Sequence, residues 1–161
     1  MKFVEEQIEK TICFLSRLNW ITIAIMIAFL LCTSILQKYL GVEILPELSA
    51  KLYIGAIAIG IIAIPLSSWY YSKSLKRIST TESIECNLRI YRVAFGYKLI
   101  IISAAFLFNL ILFYFSRNTH LLIIGAIYIV YQMVAIQSKD SVYDSLGVEQ
   151  PRDSKEVAQD L

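Results

Sequence analysis

Four stretches of apolar residues, separated by short polar segments, dominate the pattern of this chain. The first reads WITIAIMIAFLLCTSIL without a charged residue, and the third contains a single charged residue, Lys98. A bilayer core about 30 Å thick takes a helix of about 20 apolar residues, and in lipid the backbone N–H and C=O groups must be bonded within the segment. The pattern therefore predicts four transmembrane helices, at residues 18–38, 52–72, 93–116 and 120–137.

The segment before the first apolar stretch, residues 1–17, has the pattern of an amphipathic helix. Ile8, Ile12 and Leu15 recur at helical spacing on one side, and acidic residues occupy the other side. Such a helix either lies on the membrane surface or extends the first span into the cytoplasm. The residue pattern leaves both alternatives open.

The cytoplasmic loop predicted between the second and third spans, residues 73–92, contains the start of another helix. Ser79 and Glu82 have the spacing of a capping box, and the apolar residues that follow them recur at helical spacing. A helix that begins here runs directly into the third span. We therefore expect the third span to extend into the cytoplasm.

The link between the third and fourth spans, Ser116–His120, is short enough to predict an antiparallel helical hairpin, with Thr119 as the N-cap residue of the fourth span.

After the fourth span, we expect residues 138–161 to form a polar cytoplasmic tail that begins with a short helix. The predicted fold class is all-α. It is a polytopic membrane protein with a four-helix transmembrane bundle, an N-terminal amphipathic helix and a cytoplasmic extension of the third span.

Lysine and arginine are distributed unequally between the two sides of the predicted bundle. Of the 15 such residues, all but Lys38, Lys51 and Arg117 fall on the side of the two termini and the middle loop. Cytoplasmic loops carry the excess of lysine and arginine, so we expect the N-terminus and the C-terminus in the cytoplasm. The expected location is the inner (cytoplasmic) membrane, with a multi-pass topology.

Composition agrees with a membrane protein and gives little indication of a binding site or a metal site. Hydrophobic residues make up 57% of the 161 residues and charged residues only 17%, whereas soluble domains have about 25% charged residues. The formal net charge of +2 gives no reason to expect nucleic acid as a partner. The three cysteines are scattered, so we expect small core or interface residues rather than a disulfide framework or a metal site.

Residue types that carry catalysis are scarce. There is one histidine, His120, and there is no metalloprotease, nucleophile-elbow, phosphate-loop or CxxC motif. The predicted spans contain no aspartate, glutamate or arginine, the groups that mark proton and ion paths, and we expect Lys98 to extend its ammonium to the interface. We therefore predict no enzyme activity, no cofactor, and no catalytic, cofactor-binding or metal-binding residue.

Five polar side chains within the third and fourth spans are candidates for contacts between helices. Counting away from the short link places Asn109 near Tyr128, and Gln132 near Ala105 or Ser103. Hydrogen bonds across the hairpin would hold the two helices together, and a polar path for a substrate is the alternative. The candidate residues are Ser103, Asn109, Tyr128, Tyr131 and Gln132.

The second span carries a stripe of small residues, which let helices approach closely: Ala56, Gly60, Ala63 and Ser67. Pro65 lacks a backbone N–H, so we expect it to kink this helix. A basic cluster follows the span. Besides its role as a topology signal, it is a candidate for contacts with lipid headgroups: Lys73, Lys76 and Arg77.

Four segments of the chain resemble a family of small, uncharacterised four-helix bacterial inner-membrane proteins. They are KSLKRI from Lys73, NLRIYRVA from Asn87, SAAFLFNLILFYF from Ser103 and SKDSVYDSLGV from Ser138, all within residues 61–148. Members of that family often carry a glutamate where this chain has Ser103. The family has no assigned activity, so the resemblance implies a topology and no function.

Three functions are compatible with these features. The first is a non-catalytic membrane component (an accessory subunit, anchor or scaffold) whose partners are the lipid bilayer and either another membrane protein or a second copy of the chain. The second is a small oligomeric transporter or channel with a neutral polar path. The third is a pore-forming toxin, which would arrest growth when overproduced. The packing surfaces and the lack of catalytic groups favour the first.

Overall fold

The structure, a computed structural model, describes residues 2–40, 46–78, 83–116, 118–135 and 139–146. These residues form five α-helices, and no strand occurs among them. The predicted all-α fold is thus confirmed. The three longest helices are long and apolar enough to cross a membrane. The helices are α1 (Lys2–Leu40), α2 (Pro46–Leu75), α3 (Ile84–Ser116), α4 (His120–Val134) and α5 (Lys139–Leu146).

α1 is a single helix of 39 residues, which at 1.5 Å per residue is about 58 Å long. It is about twice as long as a bilayer core is thick, so one end extends beyond the apolar stretch. Residues 2–17, which the sequence assigned to an amphipathic element, continue into that stretch without a break. Ile8 and Leu15 of their apolar stripe are buried in a cluster with residues of α3 and α5. The protein itself therefore covers this stripe.

α2 begins at Pro46, whose restricted φ suits the first position of a helix. It continues past Pro65 and ends at Leu75. Beyond the end, the N–H of Ile78 donates to the C=O of Leu75 at 2.9 Å, which closes a tight turn. Pro65 thus lies inside one continuous helix rather than between two helices, and the kink expected there stays a prediction.

α3 begins one residue after Ser83, whose hydroxyl accepts a hydrogen bond from the N–H of Cys86 at 3.4 Å. Ser83 thus acts as the N-cap residue. The capping box predicted at Ser79 and Glu82 lies outside the described residues. The helix has 33 residues, so the third apolar stretch and the polar segment before it form one helix.

Asn118 organises the turn between α3 and α4. Its Oδ1 accepts a hydrogen bond from the N–H of His120 at 3.0 Å and so satisfies one of the N–H groups left unbonded at a helix start. Thr119 already has a helical conformation, and its side chain makes no capping bond. The capping role predicted for the Thr119 hydroxyl was therefore wrong, because the longer carboxamide one residue earlier fills it.

α4 has 15 residues, about 22 Å at 1.5 Å per residue, and is shorter than the span predicted at residues 120–137. It ends at Val134, and the N–H of Ala135 still donates to the C=O of Tyr131 at 2.9 Å. It is apolar but falls below the length of the three helices that could cross a membrane. Residues 136–138 lie outside the described part of the chain, as do residues 147–161, the greater part of the predicted tail.

α3 lies at the centre of the fold and packs against each of the other four helices. The apolar core forms three successive layers along it. The basal layer joins α1 and α3 to α5: Ile8, Leu15, Leu88, Tyr91, Phe95, Leu99, Val142, Tyr143 and Leu146. The central layer is built by α1–α4: Ile23, Met26, Ala63, Ile102, Ala105, Phe106, Leu110, Tyr128 and Ile129. The distal layer lies at the other end: Ala56, Leu112, Phe113 and Leu121.

Candidate functional site

Polar side chains from four helices lie between the basal and central layers, where the apolar part of the bundle ends. In α1 and α3, they follow basal-layer residues and precede central-layer residues. We call this group the polar cluster. It consists of Asn19, Ser67, Ser68, Lys98, Tyr131 and Gln132.

Within the polar cluster, α1 and α4 are joined by a reciprocal pair of hydrogen bonds. Gln132 Nε2 donates to Asn19 Oδ1 at 2.7 Å, and Asn19 Nδ2 donates to the C=O of Gln132 at 3.3 Å. Both side chains are buried. The sequence had predicted Gln132 near Ala105 or Ser103 on α3. Counting along a hairpin gives the level of a residue but not the direction in which its side chain leaves the helix, and Gln132 points towards α1.

Tyr131 connects α4 to α2 through hydroxyl groups. Its hydroxyl lies 2.7 Å from Ser68 Oγ and 3.4 Å from Ser67 Oγ. Ser67 is fully buried and donates its own hydrogen to the C=O of Ile64 at 2.8 Å. The tyrosine and the two serines thus form a small network that fastens α4 to α2.

Lys98 is the charged member of the polar cluster, and it is buried. Only 8% of the residue is exposed. Its ammonium lies 5.1 Å from the ring centroid of Tyr71 on α2 and 5.6 Å from that of Tyr131 on α4, within the range of cation–π interactions. Within the described ranges it has no carboxylate and no hydrogen-bond acceptor as a partner. Lys98 therefore faces the gap between two helices, and its extension to the membrane interface stays a prediction.

Asn109 and Tyr128, predicted as neighbours, lie closer to the distal layer than the polar cluster does, and they contact different helices. Asn109 Nδ2 donates to the C=O of Leu121 at 2.8 Å, so it faces the first turn of α4. The Tyr128 hydroxyl is directed at α2, where it would lie 3.2 Å from a Cβ at Gly60. Both side chains are buried, and each holds α4 against a neighbouring helix.

The stripe of small residues on α2 faces the interior of the bundle. Ala56, Ala63 and Ser67 are buried, and Gly60 lies against the ring and hydroxyl of Tyr128. Because these side chains are small, α3 and α4 approach α2 closely. Pro65 points away from this surface and is exposed.

Ser103 lies apart from the other polar candidates. It is half-buried and lines a shallow groove between α1 and α3, together with Thr22, Gly96 and Ala104. In the part of the chain that the structure describes, it makes no hydrogen bond to another helix.

The basic cluster at the end of α2 is exposed, as headgroup contacts would require. The Lys73 ammonium lies 4.6 Å above the ring centroid of Trp69, one turn earlier on the helix. Lys76 and Arg77 follow in the turn after the helix, and both are exposed. The aromatic ring and the cations thus mark one boundary of the apolar part of α2.

Asn19, Ser68 and Lys98 were not predicted as site residues. Lys98 carried a clear signal, because it is the one charged residue within an apolar stretch, and such residues are often functional. Asn19 and Ser68 carried a weak signal, since polar residues near the end of a span are common where it reaches the interface.

The three cysteines, Cys13, Cys32 and Cys86, are all exposed. They are therefore not core residues of the described chain, and the other alternative, that they lie at an interface, stays a prediction. Among the described residues, no group of three or more His, Cys, Asp or Glu side chains is placed to hold a metal ion.

Comparisons with protein-family models, with characterised proteins and with solved structures found no match to this chain. The resemblance to a family of four-helix bacterial membrane proteins stays a prediction. Function is therefore inferred from the geometry of the bundle itself.

Proposed function

We propose that this protein is a non-catalytic integral membrane protein that serves as an accessory subunit, anchor or scaffold of a membrane complex. The observation that carries the proposal is that buried polar side chains form hydrogen bonds between helices. The Asn19–Gln132 pair joins two helices, and the Asn109 carboxamide bonds to the backbone of the helix that follows it. Such bonds hold transmembrane helices together, so these groups serve the packing of the bundle.

We propose four spans, with α4 as the fourth. Leu121 at the start of α4 belongs to the distal layer, and Gln132 near its end is bonded to Asn19, next to the basal layer. α4 thus connects the same two ends of the bundle as the apolar part of α3. Its short length is compatible with a span when flanking residues complete the crossing.

We propose that the basal end faces the cytoplasm, in the inner membrane. Of the 15 lysines and arginines, eleven fall in the middle loop and the two ends of the chain, Lys98 adds a twelfth, and the sequence assigns all of these to this end. The Lys73 ammonium on the Trp69 ring supports a membrane surface at this end, because aromatic residues and cations flank spans there.

The basal end is also the surface that we propose for a partner. There α5 packs against α1 and α3 through Val142, Tyr143 and Leu146, which are at most 4% exposed. Between α1 and α3 lies a charged cleft of about 330 Å³, where the guanidinium of Arg92 donates to the hydroxyl of Thr11 at 2.7 Å. A partner would therefore meet an ordered surface with charged groups already in position.

Crosslinking in native membranes tests the accessory role. A photoactivatable maleimide is attached at Cys13 or Cys86, both exposed at the basal end, with the other cysteines replaced by serine. At native expression levels, we expect each label to capture the same heterologous membrane protein. A label at Cys32, in the apolar part of α1, is the matched control and should capture mainly lipid. Crosslinks restricted to lipid or to a second copy of the chain would contradict the accessory role.

A small oligomeric transporter or channel is the second candidate. It is favoured by three fully buried polar atoms that have no hydrogen-bond partner in the described ranges: Asn109 Oδ1, Tyr128 OH and Gln132 Oε1. All three lie where α4 meets its neighbours, and a polar solute could bond to them in sequence. Flux of small polar solutes into proteoliposomes, abolished by Asn109→Leu, would support this candidate. Absence of flux from a verified oligomer would exclude it.

A further inference from the structure

Lys98 carries a charge that nothing in the described chain balances. Along its own helix the nearest acidic residue is Glu85, thirteen residues earlier, or about 20 Å at 1.5 Å per residue. The other carboxylates whose side chains the structure describes belong to the first turns of α1 and to α5: Glu6, Glu9 and Asp144. A buried ion without a partner is strongly unfavourable, and the faces of two tyrosine rings offset only part of that cost. The geometry points to an anion from outside the chain.

We propose that Lys98 binds a phosphate group carried by an anionic molecule at the membrane surface. The site is the gap between α2 and α4, where Tyr71 and Tyr131 face the ammonium at 5.1 and 5.6 Å. The inference goes beyond the accessory role and rests only on the membrane placement proposed above.

Lys98 is largely but not completely buried. Eight per cent of the residue remains exposed. Near this level, the rings of Tyr70 and Tyr97 pack edge to face with centroids 5.1 Å apart. Tyrosine is enriched at the depth of lipid headgroups, so the gap lies where phosphate groups are found.

The groups around the gap match the chemistry of a phosphate. Lys98 supplies three N–H donors, and the rings of Tyr71 and Tyr131 face its ammonium from two helices. No described carboxylate faces the gap to repel an anion. A phosphate offers several acceptor oxygens to one cation and its neighbouring hydroxyls, and basic pockets between transmembrane helices on the cytoplasmic side bind lipid headgroups.

Native mass spectrometry of the delipidated full chain in detergent tests the site, with phosphatidylglycerol and phosphatidylcholine as probes. One phosphatidylglycerol per chain should bind with a preference of about tenfold or more. Lys98→Met should remove the preference, and Lys98→Arg should keep it. Lys38→Met is the matched control, because it removes the same charge from an exposed lysine in the last turn of α1, at the distal end of the bundle.

Competition with inorganic phosphate shows whether the site recognises free phosphate or only the phosphodiester of a lipid. Displacement of the lipid would mean that phosphate alone is recognised, and no displacement would mean that the lipid phosphodiester is required. Either result supports the site, provided that the preference depends on Lys98. Equal binding of both lipids by the unaltered chain, or an unchanged preference in a folded Lys98→Met variant, would overturn it.

Acylation of Lys98 by an amine-reactive ester provides a measurement on the unaltered chain. Phosphatidylglycerol should slow this reaction about tenfold relative to phosphatidylcholine and leave the reaction of Lys38, at the distal end of α1, unchanged, as read by peptide mapping. Equal protection by the two lipids would refute the site. That failure would leave the accessory role intact, because the crosslinking experiment measures a protein partner independently of lipid.

Discussion

The side-chain amide of Gln132 on α4 donates a 2.7 Å hydrogen bond to Asn19 on α1, 113 residues away in the chain. The side chain of Asn19 returns a bond to the backbone carbonyl of Gln132 at 3.3 Å. The two residues are 1% and 2% exposed, so water has no access to replace either bond. This pair therefore ties together the first and fourth helices of the bundle.

Replacing either member of the pair with leucine should destabilise the bundle, because the remaining amide is left unbonded in an apolar interior. Asn19→Leu and Gln132→Leu should each lower the free energy of unfolding by about 1–2 kcal/mol. The double variant should lose less than the sum, with a coupling energy of about 0.6–1.7 kcal/mol. Unfolding in mixed micelles, followed by circular dichroism, measures all three values. If the loss of unfolding free energy in the double variant equalled the sum of the two single losses, the hydrogen bond between the two side chains would be contradicted.

Gly125 should accept a side chain less readily than Gly55. A Cβ at Gly125 would lie 2.8 Å from Leu30 Cδ1 and 3.4 Å from Asn109 Nδ2, and a Cβ at Gly55 would meet no atom within 4 Å. Gly125→Ala should therefore cost about 1 kcal/mol of unfolding free energy, because the terminal methyl of Leu30 must rotate away. Gly55→Ala, the matched control, should be neutral or stabilise by up to about 1 kcal/mol. Equal effects in the same micelle assay would show that α4 does not approach α1 this closely.

The docking of α5 should depend on Leu146, which is 4% exposed in the basal layer. Leu146→Ala removes buried apolar contacts and should cost about 2–5 kcal/mol. It should also make α5 sensitive to limited proteolysis. Asp144→Ala changes an exposed residue of the same helix and should alter stability by no more than about 0.5 kcal/mol. Proteolysis of both variants at the rate of the unaltered chain would argue against a packed α5.

Thiol labelling should report the proposed orientation through variants with single cysteines. Cys13 and Cys86 are exposed at the basal end, so a membrane-impermeant maleimide should label them in inside-out vesicles but not in intact cells. Cys32 is exposed in the apolar part of α1. It should not react with this reagent in either preparation, because a membrane-impermeant maleimide does not enter the bilayer core. Labelling of Cys13 in intact cells would contradict the proposed topology, because it would place the basal end outside the cytoplasm.

Some members of the polar cluster could be recognised in the sequence, but their partners could not. Tyr131 and Gln132 stand out as polar residues in an apolar stretch. Tyr131 bonds to Ser68 on α2, and Gln132 bonds to Asn19 on α1 rather than meeting Ser103 on α3. The choice of partner depends on the rotation of each helix about its axis, which the packing of neighbouring helices sets.

The sequence by itself determined that the chain is helical and where its long apolar helices lie, because no other local structure satisfies the backbone of such segments in lipid. Only the tertiary structure decided how these helices pack and which of their side chains meet. It buries the apolar stripe of residues 2–17 under α3 and α5, and it holds Lys98 between Tyr71 and Tyr131. These outcomes rest on contacts between residues far apart in the chain. Their geometry comes from helices packing on one another, which no local pattern encodes.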